Sequence, residues 1–88
     1  MWNKKNDCYY TKSICKNGIL DCIKHNIRDN LWWEITYSDE YIDKYIEIDE
    51  DDIDVNNIEE VLEYADNWLS ELIEDVLNKY NKLNISEI

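Results

Sequence analysis

Residues 54–82 read DVNNIEEVLEYADNWLSELIEDVLNKYNK, and their apolar members fall at three- and four-residue steps. Ile58, Val61, Leu62, Ala65, Trp68, Leu69, Leu72, Ile73, Val76, Leu77 and Tyr80 therefore stack along one face of an α-helix, whose turn closes every ~3.6 residues. Asp54 is placed to cap the start by accepting a bond from an early backbone N–H, with Ile53 and Ile58 as a hydrophobic staple around it. At the far end Lys79 and Lys82 suit the negative pole of the helix dipole, and Asn81 or Asn84 suits a left-handed end position. One long helix over residues 54–82 is the expected anchor of the fold.

The other side of that helix carries Glu59, Glu60, Glu63, Asp66, Glu71, Glu74 and Asp75. Glu59/Glu63 and Glu71/Asp75 are like charges one turn apart, costing about 0.2–0.5 kcal/mol each, so helix stability alone does not select them. Residues 45–78 hold thirteen acids and no Lys or Arg to offset them. The plain reading is a well-solvated face; the functional reading is a surface for a basic partner.

Working back toward the N-terminus, Leu31, Trp33, Ile35 and Tyr37 alternate with Trp32, Glu34 and Thr36, the period-two pattern of a half-buried strand. A tight turn at Asp39-Glu40 would set Tyr37 opposite Ile42, Trp33 opposite Ile46 and Leu31 opposite Ile48, leaving Trp32, Glu34, Thr36, Asp43, Tyr45 and Glu47 on the other face. Ser38-Asp39-Glu40 capping a short helix is the competing reading. Earlier still, Asn17-Gly18 suits both positive-φ positions of a type I′ hairpin turn, which pairs residues 9–16 with residues 19–27. Arg28-Asp29-Asn30 is a second turn candidate. A helical stripe through Ile14, Ile19, Ile23 and Ile27 competes with this hairpin, against the cost of a glycine inside a helix. Residues 1–8 are polar and expected to fray, with Trp2 folding back onto the domain. The expected fold class is α+β: a four-stranded antiparallel meander over residues 9–48, then one amphipathic C-terminal helix (ββββα), in a single domain spanning residues 1–88.

A chain of 88 residues supports one core, burying about 60–65% of the unfolded surface. Its eleven aromatics separate it from the acidic, aromatic-poor chains that stay disordered. No apolar segment follows Lys4-Lys5 and no run reaches the roughly eighteen apolar residues of a membrane span, so a cytoplasmic protein without a membrane partner is expected. Cys8, Cys15 and Cys22 are odd in number, which fits a reducing compartment better than a disulfide framework. The skew toward Asn, Ile, Lys, Asp and Tyr is that of AT-rich coding, as in a low-GC bacterium, its phages or a parasite.

Few catalytic or cofactor chemistries fit. With His25 the only histidine and Gly18 the only glycine, the chain lacks a phosphate-cradling loop and any Ser/His/Asp or Cys/His signature, so no enzyme and no cofactor is expected. Cys8, Cys15, Cys22 and His25 would make a Cys3His zinc set, but only Cys22 and His25 are close enough to chelate from one local element. Asp52, Asp54, Asn56 and Glu63 look like an EF-hand loop at its oxygen-bearing positions, which implies a weak candidate calcium site; Asn57 stands where that family has its turn glycine. Direct nucleic-acid binding has only the first hairpin to work with, where Lys12, Lys16, Lys24 and Arg28 accompany Tyr9 and Tyr10. Residues 1–28 carry a formal +4 and residues 29–88 a formal −16, for a total of −12. A field of that sign repels a duplex and leaves self-association between the unlike halves open.

In charge, size and aromatic content the chain resembles the small acidic DNA-mimic inhibitors, including phage anti-restriction and anti-CRISPR proteins. It also resembles the acidic immunity proteins and antitoxins that cover basic nucleases. The resemblance implies a non-enzymatic inhibitor of a basic protein that normally binds nucleic acid, and it assigns no individual residue. The expected contact surface is read from the charge run itself: Asp49, Glu50, Asp51, Asp52, Glu59, Glu60, Glu63, Asp66, Glu71 and Glu74.

Overall fold

The structure, a computed structural model, describes the backbone of residues 1–86 and the side chains of residues 1–77. Five strands, β1 (Asn3–Asn6), β2 (Tyr9–Cys15), β3 (Gly18–Ile27), β4 (Asn30–Ser38) and β5 (Asp43–Ile48), form one antiparallel meander in sequence order, and α1 (Ile58–Ser86) crosses one of its faces. The α+β class and the order of sheet before helix agree with expectation; the strand count is five, not four. β1 is the addition. Its residues are all exposed and none is apolar, so no hydrophobic alternation marks it. Backbone pairing of Asn3 with Thr11 and Lys4 with Tyr10 holds it instead, and the Cys8 N–H donating to Asn6 Oδ1 at 2.7 Å closes the turn. Trp2 does fold back: its indole N–H donates to Asp66 Oδ2 at 3.2 Å.

Three local expectations change. Gly18 has no positive φ; the connection of Lys16 and Asn17 closes with Cys15 opposite Gly18, and an extra residue, Ile14, bulges from β2. Gly18 is buried, and a Cβ there would lie 2.6 Å from Cys15 Sγ and 2.7 Å from Tyr37 Oη, so the glycine is required for space rather than for turn geometry. The positive-φ turn sits at Arg28 (φ 51°) and Asp29 (φ 67°), between paired Ile27 and Asn30, as the hairpin twist demands. Between β4 and β5 the register is two residues from the expected one, with Trp33 opposite Ile48, Ile35 opposite Ile46 and Tyr37 opposite Lys44. The loop is longer because Asp39 organises it: Oδ1 accepts the Tyr41 and Ile42 N–H groups at 2.7 Å each, and Oδ2 accepts the Tyr37 hydroxyl at 2.6 Å. An even shift preserves which face each side chain takes.

The helix begins one turn later than expected. Asn57, not Asp54, is its cap, with Oδ1 accepting the Glu59 N–H at 3.1 Å and the Glu60 N–H at 3.4 Å. Asp54 Oδ1 is taken by the Asn56 N–H at 3.0 Å, and the Asp54 N–H donates to Glu60 Oε2 at 3.2 Å. Ile53 and Ile58 pack against the core rather than stapling around an Asp54 cap. Helical backbone continues through Ser86, beyond Lys82 and Asn84, so neither Asn81 nor Asn84 ends it. The side chains of Lys79, Tyr80, Asn81, Lys82 and Asn84 lie outside those described.

Val61, Ala65 and Leu69 of α1 press on Leu20 and Cys22 of β3 and on Trp33, Ile35 and Tyr37 of β4, with Ile48 and Val55 completing the buried set. Each large apolar side chain so enclosed contributes about 1.5–3 kcal/mol. The buried Trp33 indole N–H donates to the Val55 carbonyl at 2.9 Å, which fastens the acidic connector to the core. Burial pushes the Cys22 thiol up to about 12, making it an inert packing group. Val76 and Leu77 are exposed, so among the described side chains the packed part of the apolar stripe reaches Ile73.

Candidate partner-binding surface

Cross-strand pairs share a face, which sorts the charges of the sheet. Lys12 is opposite Leu20, Lys24 opposite Trp33 and Lys44 opposite Tyr37, so the lysines of β2, β3 and β5 take the helix side. Asp21, Glu34, Asp43 and Glu47 take the open side, with Tyr9, Ile23, His25, Trp32 and Tyr45. Glu34 stands directly opposite Glu47, a like-charge pair that costs sheet stability. Trp32 is held by His25, their rings stacked at 5.1 Å and inclined by 15°. The Tyr9 hydroxyl donates to Asp21 at 3.3 Å.

Where β5 leaves the sheet, Asp29, Glu47, Asp49, Glu50 and Asp51 line an open groove of about 680 Å³ together with Trp32, Leu31 and Asn56. The connector that supplies three of these acids is folded on its own backbone. Asp49 Oδ1 accepts the Asp51 N–H at 2.9 Å, Asp52 Oδ2 accepts the Asp49 N–H at 3.1 Å, and the Asp49 carbonyl accepts from Asp52 at 3.0 Å and Ile53 at 3.2 Å. Backbone donors thus offset part of the mutual repulsion, and the Glu50 and Asp51 side chains stay exposed.

The ten acids expected to form one contact surface divide. Asp49, Glu50 and Asp51 belong to the groove, while Asp52, Glu60 and Glu63 line a shallower depression at the start of α1. Glu59, Glu71 and Glu74 are exposed along the helix; Glu71 and Glu74 lie eight and eleven residues beyond Glu63, about 12–17 Å further on. Asp66 leaves the set. It accepts from Lys12 Nζ at 2.9 Å as well as from Trp2, and Lys12 lies 5.5 Å from the Trp2 ring centre, so Asp66 ties helix to sheet. Sequence separations of 54 and 64 residues hid that role. Asp29 was absent from the expected site because only the β3–β4 turn brings it there, whereas the strand alternation already grouped Asp43 and Glu47 with Trp32, Glu34 and Tyr45.

The other candidate sites are dispersed. Among the described residues no group of three or more His, Cys, Asp or Glu converges on a metal position. Asp52 and Asp54 of the EF-hand-like stretch spend carboxylate oxygens on nearby backbone N–H groups. Cys8 and Cys15 are exposed, Cys22 is buried on the helix side, and His25 lies on the open side. Nor is the first hairpin a basic platform: Lys12 and Lys24 share a face with Tyr10, opposite to that of Tyr9.

Among the described residues no helix is long and apolar enough to cross a membrane. Comparison with protein-family models, with curated proteins and with solved structures returns no match.

Proposed function

We propose that this chain is a small, non-enzymatic, cytoplasmic binding protein that inhibits a basic nucleic-acid-handling protein by presenting carboxylates where that partner receives phosphates. The observation that carries the reading is the sorting of charge on the sheet: the lysines of β2, β3 and β5 turn to the helix side, while Glu34 and Glu47 are kept face to face on the open side at a cost in stability. Opposed residues on neighbouring strands stand about 4.5–5.5 Å apart, and acids on successive helix turns about 4.5–6 Å apart; DNA spaces its charges by about 3.4 Å along each strand. Trp32 and Tyr45 add flat apolar area among those charges, as bases do in single strands. An immunity protein or antitoxin covering a basic nuclease uses the same chemistry and differs in the target's activity.

Immobilised protein should capture one or a few basic proteins from a lysate of the source cells and release them as salt rises, since screening shortens from about 10 Å at 0.1 M to 3 Å at 1 M. Excess DNA or RNA should compete for the captured target. Exchanging Glu34, Glu47, Glu50 and Asp51 for Lys should abolish capture with an unchanged circular dichroism spectrum. Exchanging Glu60, Glu63, Glu71 and Glu74 tests the helix face separately. If nucleic acid fails to compete, or if both quadruple variants bind as tightly as the parent, the phosphate-mimic reading is wrong.

A further inference from the structure

The sheet has two edges, and they differ. β1 has four residues, carries Lys4 and Lys5, and its pairing with β2 shifts register between Lys4 and Asn6; short, basic, irregular edges discourage further pairing. β5 has six residues in regular register with β4. The Asp39 N–H donates to the Ile42 carbonyl at 2.8 Å, and antiparallel bonding alternates from there. Tyr37/Lys44, Ile35/Ile46 and Trp33/Ile48 therefore exchange backbone bonds, and Asp43, Tyr45 and Glu47 turn their N–H and C=O groups outward. Among the described residues α1 lies over β3 and β4 and does not reach this edge.

We infer that β5 accepts an added strand from the partner, an extended segment in which basic and apolar residues alternate. This names the binding mode of the acidic surface proposed above and rests on that reading. The alternation follows from the two sides of the edge. An added strand would set every second side chain beside Asp43, Tyr45 and Glu47 on the open face, where Lys or Arg is complementary, and the others along Lys44, Ile46 and Ile48, where the two isoleucines and the repulsion of Lys44 favour apolar groups over basic ones. Beyond Glu47 the strand runs into the groove of Asp49, Glu50 and Asp51, which extends the same charge preference. A second copy of this chain is a poor occupant: antiparallel pairing of β5 with itself centred on Tyr45 would set Asp43 opposite Glu47 twice, between molecules that each carry −12.

The test uses the full-length protein and three short peptides: alternating Lys and Val, the same charge with alternate Val replaced by Pro, and alternating Glu and Val. The first should bind at low salt and slow hydrogen exchange at the Asp43, Tyr45 and Glu47 amides. The proline peptide should bind about tenfold or more weakly, and the glutamate peptide not measurably. Tyr45→Pro and Glu47→Pro, which remove an outward N–H and leave the β4 ladder intact, should each bring the first peptide's affinity down to that of the proline peptide. Equal binding of the two lysine peptides overturns strand addition while leaving the acidic-surface reading standing. Protection at residues 3–6 instead of β5, or dimerisation through β5, overturns it as well. Absence of binding by either lysine peptide at low salt overturns both readings.

Discussion

The two faces of the sheet are built from the same strands and differ in almost every physical respect. On the helix side Leu20, Cys22, Trp33, Ile35 and Tyr37 are buried, and Lys12 is anchored by Asp66. On the open side Asp21, Glu34, Asp43 and Glu47 lie among Tyr9, Trp32 and Tyr45, and among the described residues no second layer of strands or helix packs over them. Because alternate residues of a strand point to opposite faces, one chain specifies both independently. The covered face holds the fold together, and the open one is free to accumulate like charge that a core would never tolerate.

The largest expected effect lies on the covered face. Ile35→Ala removes a side chain with no exposed surface and should cost about 2–5 kcal/mol in urea unfolding. A loss under about 1 kcal/mol would show that α1 does not pack there. Next comes Gly18→Ala, which pushes a methyl group into Cys15 Sγ and Tyr37 Oη and should cost about 1–3 kcal/mol. Tyr37→Phe removes one of the clashing atoms, so the pair of substitutions should be less than additive; full additivity would place the strain elsewhere.

A third effect depends on pH. The Tyr37 hydroxyl, with help from the Tyr41 and Ile42 N–H groups, holds the Asp39 carboxyl below its ordinary value. A depressed carboxyl contributes stability that is present above its unfolded value of 3.8 and is lost as pH falls through the lower folded value. Asp39→Asn should therefore flatten the acid side of the stability profile below about pH 4; an unchanged acid limb would mean the loop bonds do not persist in solution. The smallest effect belongs to the open face and has the opposite sign. Glu34→Gln or Glu47→Gln relieves the cross-strand repulsion and should leave stability unchanged or raise it by about 0.2–1 kcal/mol, while weakening capture of a basic partner. A clear destabilisation by either would contradict the assignment of these glutamates to a solvated surface.

The amphipathic helix was legible because its stripe repeats over many turns, each turn adding independent support for the same period. The β4/β5 faces were legible for the same reason at period two, and an even register error left them intact. β1 was not, since an edge strand held by backbone pairing and a polar turn needs no apolar side chains. Asn17-Gly18 suggested a left-handed turn, but the glycine answers to the Tyr37 hydroxyl, which the closing of the β3–β4 hairpin brings back from the far end of β4. The same holds for the surface. The acid run at residues 49–52 and the alternation that groups Glu47 with Trp32 announced themselves locally, whereas Asp29 could be found only once the β3–β4 hairpin had closed.

By itself, then, the sequence determined the α+β class, the alternation of faces and the excess of negative charge, all of which follow from spacing and composition within one segment. Tertiary structure decided which acids remain at the surface and which strand edge stays open. Asp66 became an anchor for Trp2 and Lys12, and β5 kept its outward N–H groups, because those outcomes depend on distances between residues far apart along the chain.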